Sequence, residues 1–412
     1  MSTDLAMLLS LLPGWPFRLD NSFWVALLLV VAPLAGEAVY RTLRWPRIVG
    51  YTLVGLLASA ASFDTSGLRL AGVFHRAMEV ALAVLLFELG SRINPRWLFA
   101  NPWLVATSLA EAGLTFVAVY AVGAFLGLGV GSSVAVATVC MVSSPAVIMR
   151  VTAEMNARGQ VTERLLLLSA LSTVYAVVAI HILLGVLQGM KTGDPWDAAQ
   201  LPLATFLTSF VLALVLAFAV GLAQRKLDLR DENGALLLLG LLFLTLALVQ
   251  LTGASPLLVP LLAGIVLRIR DPRPRLWPRH FGTAGGALVV LLFVVNGMAV
   301  DWRLIAGGGV AALVLLGLRA GAKIGAAVLL GRRSGLSLRQ SAALGVALLP
   351  MSGVAFLLTA SLHVAAPEFG TRVASALAGA ITVMEIVGPL LTQWALKACR
   401  EATFNGRGGQ NA

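Results

Sequence analysis

Charge is what this chain has least of. Of its 412 residues only 12% are charged and 59% are hydrophobic, and the mean hydropathy is +0.91. A soluble domain carries about 25% charged residues. That deficit excludes a soluble globular fold and points to an all-α polytopic membrane protein. Cysteine is scarce as well. Cys140 and Cys399 stand far apart and neither belongs to a ligand-spacing pattern, so no disulfide framework or zinc site is indicated. Acidic residues number 19 against 30 basic ones, for a net charge of +11. The excess does not describe a nucleic-acid face, because the basic residues are scattered between apolar runs, as membrane orientation requires. No nucleophile elbow, P-loop or metal-ligand cluster is found, so no enzyme, cofactor or metal is expected. The N-terminus "MSTDLAMLLSLLPGWPF" lacks a basic n-region and an A-x-A cleavage site. Residues 1–22 therefore read as a retained external lead-in, with Trp15 at headgroup depth.

Long apolar runs are what the chain does have. A helix needs roughly 20 apolar residues to cross the hydrocarbon core. On that rule thirteen segments are expected, near 23–43, 47–63, 72–91, 103–127, 130–151, 165–189, 201–224, 234–252, 254–268, 281–299, 304–330, 339–363 and 370–396. The basic residues test the count. With the N-terminus outside and the C-terminus cytoplasmic, 22 of the 30 fall on cytoplasmic connections and six outside. That asymmetry is the positive-inside rule, and adding or dropping one helix would scramble it. Only Arg319 and Lys323 are left within a span.

Two of the segments are interrupted. Segment five contains "MVSSPAVIMRV", with Ser143-Ser144-Pro145 at its middle, and segment twelve reads "ALGVALLPMSGVAFLLTASL", with Pro350-Met351-Ser352-Gly353 at its centre. Proline removes a backbone donor and clashes with the preceding turn. Freed backbone groups at membrane depth are tolerated only where protein or a wet cavity satisfies them. The two segments run antiparallel, and paired interruptions of this kind are the sequence mark of an inverted-repeat secondary transporter. Glycine-rich "AGGGVAALVLLGLRAGAKIGAAVLLG" in segment eleven is a close-packing signal that identifies no substrate.

The stretches "RIVGYTLVGLLAS", "ALAVLLFELGSRINPRWL", "FVVNGMAVDWRLI" and "LRAGAKIGAAVLLGRRSGLSLRQSAALGVALLP" stand out. They resemble the membrane domain of the cation:proton antiporter superfamily, nearest to its bacterial sodium–proton and potassium-efflux branch. The resemblance implies an antiporter-like membrane domain over 23–397, with 398–412 a short cytoplasmic tail lacking a regulatory domain. It implies a homodimer of thirteen-helix subunits in a bacterial inner membrane. Each subunit would hold a dimerisation bundle and a core bundle in which segments five and twelve unwind and cross. Lipid, a monovalent cation and protons are the implied partners.

The chain departs from the family at its centre. The acidic pair of segment six is replaced by Tyr175-Ala176, and no carboxylate lies between Leu165 and Gln188. Met351-Ser352-Gly353 stands where an Arg-Gly-Glu-like element is usual, and Gly90-Ser91-Arg92 where Gly-Leu-Glu is. Charges within spans are costly and so are functional candidates. Lys323 matches the family's segment-eleven lysine and could itself carry the proton. Arg319 lies at i−4 on the same face, and an ion pair with Glu111 is expected from the repeat symmetry. Glu385 holds roughly the symmetry-related place of Ala176, making it the first choice for a relocated carboxylate. Glu88 would line an access funnel, Glu37 and Glu79 would be interfacial, and His181 would have a packing role. Ser143, Ser144, Tyr175, Met351 and Ser352 are the candidate ion ligands, with Pro145, Pro350 and Gly353 marking the breaks. Two readings stay open: alternating-access exchange of sodium or potassium for protons, or a proton-uncoupled, channel-like or sensor unit on the same scaffold. Attraction of an anion is a weaker third.

Overall fold

The computed structural model describes residues 21–60, 73–93, 95–226, 232–271, 281–299 and 302–402, and all regular structure among them is helical. The helices are α1 (Asn21–Leu43), α2 (Arg47–Ala60), α3 (Val73–Arg92), α4 (Pro95–Ala100), α5 (Pro102–Phe125), α6 (Val130–Met141), α7 (Pro145–Glu154) and α8 (Gln160–Thr192). They continue with α9 (Pro195–Lys226), α10 (Glu232–Thr252), α11 (Leu258–Arg270), α12 (Phe281–Met298), α13 (Trp302–Gly331), α14 (Leu338–Ala347), α15 (Gly353–Ala365) and α16 (Pro367–Ala398). Each apolar segment of the sequence falls on one helix, or on the pairs α6–α7 and α14–α15. Among the described residues seven stretches are long and apolar enough to cross a membrane, and α2 and parts of α10, α12 and α15 are shorter apolar helices. The lead-in with Trp15 and the tail beyond residue 402 lie outside the described residues.

Some boundaries differ from those the sequence suggests. Segment nine begins late, at Leu258, because Ser255 and Pro256 shape a turn: the Ser255 amide donates to Ser209 Oγ at 2.9 Å, and Leu258 N donates to Ser255 Oγ at 3.3 Å. The short α4 answers to no apolar run. It begins at Pro95, a residue type suited to the first helical position. Segment six extends both ways into α8, and Glu401 lies over its start: the carboxylate accepts from Val161 N, Thr162 N and Thr162 Oγ1, each at 2.8 Å.

Packing sorts the helices by how much they bury. The broken stretch Val130–Glu154 is 89% buried, whereas Ala198–Arg225, equally apolar in kind, is 28% buried. Its outer face carries Phe206, Phe210, Val215 and Phe218, all exposed. An apolar face left outward on a long helix is a face toward lipid. Close approach elsewhere depends on glycine. A Cβ on Gly55 of α2 would strike the carbonyl of Val294 on α12, and one on Gly297 would come within 2.5 Å of the Thr52 carbonyl.

Candidate ion site at the helix crossing

α13 and α5 bring the intramembrane charges inward by helical periodicity. On α13 the buried positions Ala312, Leu315, Arg319, Lys323, Ala326 and Ala327 recur every three or four residues, while Val310, Leu313 and Leu329 face out. On α5, Leu104, Ser108, Glu111, Thr115 and Val119 form the matching stripe. Packed together, the two stripes aim one carboxylate and two cations at the broken helices.

Both breaks are present and they touch. α6 stops at Met141, Val142 is extended, and α7 starts at Pro145 with Ser144 as its cap, accepting from Val147 N at 3.4 Å. α14 stops at Ala347, and α15 starts at Gly353. The crossing is held by main chain and hydroxyls alike. Ser144 N donates to the Pro350 carbonyl at 2.8 Å, Ser143 Oγ donates to the Leu348 carbonyl at 2.7 Å, and Ser144 Oγ and Ser352 Oγ share a 2.7 Å hydrogen bond. α8 contributes Ser172, whose Oγ accepts from Ser143 N at 3.1 Å.

The C-terminal ends of α6 and α14 both point their carbonyls into this crossing, and two cations receive them. Arg319 donates through Nε to the Cys140 carbonyl at 2.9 Å, through Nη2 to Val142 at 2.6 Å and Leu348 at 3.4 Å, and through Nη1 to Leu349. Lys323 Nζ donates to the Met141 carbonyl at 2.9 Å, to Ser143 Oγ at 3.0 Å, and to Glu111 Oε2 in a fully buried ion pair. A positive charge at a helix C-terminus opposes the negative end of the helix dipole. Here one guanidinium does so for two helices at once.

The structure therefore departs from sequence expectation in two ways. Glu111 pairs with Lys323, not with Arg319, because the planar five-donor fork of Arg319 is spent on carbonyls that a lysine's point charge could not reach together. Of the two means of satisfying the freed main-chain groups, protein or a wet cavity, the carbonyls of the crossing use protein, in Arg319 and Lys323. Ser143, Ser144, Ser352, Pro145 and Pro350 all meet at the crossing, and Met351 is fully buried beside them. Tyr175 is not brought there: its hydroxyl accepts from Ser108 Oγ at 3.3 Å, on the α5 side, while Ala176 is completely buried. His181 contacts the Val177 carbonyl at 2.7 Å, Glu37 pairs with Arg41 and Arg47, and Glu88 pairs with Arg92.

Glu385 on α16 stands apart. It is 1% exposed, and beyond the carboxamide beside it neither carboxyl oxygen has a hydrogen-bond partner among the described residues. Its polar neighbour is Asn296 on α12, which the sequence reading passed over although a carboxamide inside an apolar span is a signal of the same kind as a charge. Among the described residues no group of three or more His, Cys, Asp or Glu could hold a metal.

By sequence alone no curated protein matches the chain. In three dimensions it is similar to the sodium proton antiporter MjNhaP1 from Methanocaldococcus jannaschii. One structure of that protein, at pH 8, shows 17% identity and a TM-score of 0.63 over 92% of this chain and 94% of that one. Another, from electron microscopy, shows 16% identity and a TM-score of 0.65 over 97% and 96%. Identity so low carries the fold and no more. The family described as "Sodium/hydrogen exchanger, transmembrane" matches residues 26–398, nearly the whole helical domain. The chain with the stitched helix crossing thus belongs to the sodium/hydrogen exchanger family.

Proposed function

We propose that this protein exchanges a monovalent cation, sodium or potassium, for protons by alternating access, with Glu111 and Lys323 as the coupling pair. One observation carries the reading. The Lys323 ammonium sits among a carboxylate oxygen, a main-chain carbonyl and a hydroxyl, those of Glu111, Met141 and Ser143. Three oxygens, one of them anionic, form a site that suits a hard metal cation equally well. The ammonium is thus a built-in competitor. When a cation takes its place, Lys323 must leave those oxygens, and it leaves as the neutral amine by giving its proton to the open side. On the return leg the amine takes up a proton, and the new ammonium expels the cation. Charge in the site stays constant, so neither state buries an uncompensated carboxylate.

The wider frame of the proposal is thirteen membrane crossings in two inverted repeats, with core and dimerisation bundles and a homodimer in a bacterial inner membrane. The N-terminus lies outside and the C-terminus in the cytoplasm. Ser144, Ser352 and the main chain at Met351 line the path past the crossing. The placement of the basic residues and the two antiparallel breaks support this frame.

The second reading, a proton-uncoupled unit, is favoured by one observation: α8 carries Tyr175 and Ala176 where the family keeps acids, and Ala176 is sealed in the core. Vesicles containing the purified protein separate the two. With a sodium or potassium gradient imposed and internal pH followed by a dye, exchange predicts cation-driven proton movement that disappears in Lys323→Ala. Cation flux with no pH change would establish the uncoupled reading instead.

A further inference from the structure

We propose that Glu385 and Asn296 form a second exchange site, in which a small monovalent cation bound by carboxylate and carboxamide oxygens replaces the proton of Glu385. This rests on the antiport reading and deepens it, because it adds a ligand set away from Lys323.

Most of the crossing is already bonded, with Glu111 Oε1 the exception. Its hydroxyls bond each other or main-chain carbonyls, and the carbonyls at the ends of α6 and α14 bond Arg319 or Lys323. Away from the Lys323 site, two buried polar side chains stand together. Glu385 and Asn296 lie against each other, 1% and 4% exposed, and beyond that mutual contact none of their side-chain polar atoms has a hydrogen-bond partner among the described residues. Two buried polar side chains with only each other are uncommon, since buried polar groups are nearly always fully bonded. Such an exception marks a group whose partner comes and goes.

The pair has a definite place. Asn296 lies against the start of α15, where a methyl group built on Gly353 would sit 3.4 Å from Asn296 Nδ2. Gly388, one turn beyond Glu385 on α16, packs against Pro350. The site therefore borders the second break, and any movement that reseats α15 alters access to it. The charged groups nearest the crossing are committed to other partners: Lys323 to Glu111, and Arg319 to the carbonyls. No described cation pairs with Glu385. With no counter-charge, Glu385 holds its proton until a cation supplies the charge. The exchange is then Glu385–COOH plus a cation, giving the cation-bound carboxylate and a released proton, with the carboxamide oxygen of Asn296 as second ligand. Carboxylate and amide oxygens are the donors a hard cation prefers.

The test uses the full-length protein and sodium ions, with binding read separately from transport. Thermal unfolding in detergent is followed as sodium chloride replaces choline chloride, and the half-saturating sodium concentration is taken from the rise in Tm. Losing a ligand-shell partner typically lowers metal affinity about 10–100-fold, so Glu385→Gln and Asn296→Ala should each raise that concentration at least about tenfold, with Glu385→Asp in between. In vesicles the same variants should raise the apparent KM for sodium and shift its dependence on pH. Unchanged half-saturation in both Glu385→Gln and Asn296→Ala overturns the site, and so does a wild-type protein that sodium does not stabilise. A wild-type protein that binds sodium through Glu385 yet moves no protons would instead overturn the antiport reading and leave the site standing.

Discussion

The two broken helices are built alike and finished differently. At the first break both hydroxyls have partners: Ser144 caps α7 while bonding Ser352, and Ser143 bonds Leu348, Ser172 and Lys323. At the second, α15 starts without a side-chain cap, Ser352 having been drawn to Ser144, and the unmatched pair Asn296 and Glu385 lies alongside. One half of the crossing is a finished structural joint, and the other keeps buried polar atoms in reserve. Proline does not decide which is which. Pro33, Pro202 and Pro389 sit inside helices α1, α9 and α16, each continuous through its proline.

The sharpest way to break this contrast is to remove the clamp on the finished half. Arg319→Ala strips the cation from the carbonyls of both helix ends, and we expect a loss of about 3–5 kcal/mol or more, in the range of broken buried charge networks. Arg319→Lys should recover only part of it, since a lysine cannot span both ends. Thermal unfolding in detergent measures both. Next in size is Lys323→Ala, which leaves Glu111 buried without its partner and should cost about 3 kcal/mol together with transport. The double variant Glu111→Leu with Lys323→Met should regain most of the stability and none of the transport, which separates a structural ion pair from a working one.

A smaller effect is expected at the hydroxyl bridge. Ser144→Ala and Ser352→Ala should each cost about 1 kcal/mol, and the double variant clearly less than the sum, because the two share one hydrogen bond. At the periphery, Glu401→Ala removes the group that accepts the first amides of α8 and should cost up to about 1 kcal/mol. The unfinished half predicts the opposite sign. Glu385→Gln should leave stability unchanged or raise it slightly, because it removes a carboxyl that pairs with no described cation. A large destabilisation there would show that Glu385 is a structural member after all and erase the contrast.

Much of this was legible before any coordinates. Apolar runs located the helices, and the motifs "SSP" and "PMSG" located both interruptions to within about two residues, because proline and hydroxyl at mid-span have few other uses. The charged residues of the core were legible for the same reason, as costly exceptions in apolar stretches. Their pairing was not. Symmetry suggested Glu111 with Arg319, but which cation meets the carboxylate depends on the rotation of α13 against α5 and on the carbonyls that compete for each donor. Asn296 was overlooked because a lone carboxamide in "FVVNGM" acquires meaning only when α16 sets a carboxylate beside it.

Composition and periodicity therefore determined that the chain is a bundle of apolar helices with two of them interrupted, since hydrophobic length and proline act locally along the chain. Only the tertiary structure decided that the interruptions are stitched together by Arg319, that Lys323 holds Glu111, and that Glu385 is left unpaired. Those are contacts between residues some 30 to 210 positions apart, and packing geometry alone chooses among the partners that local chemistry would allow.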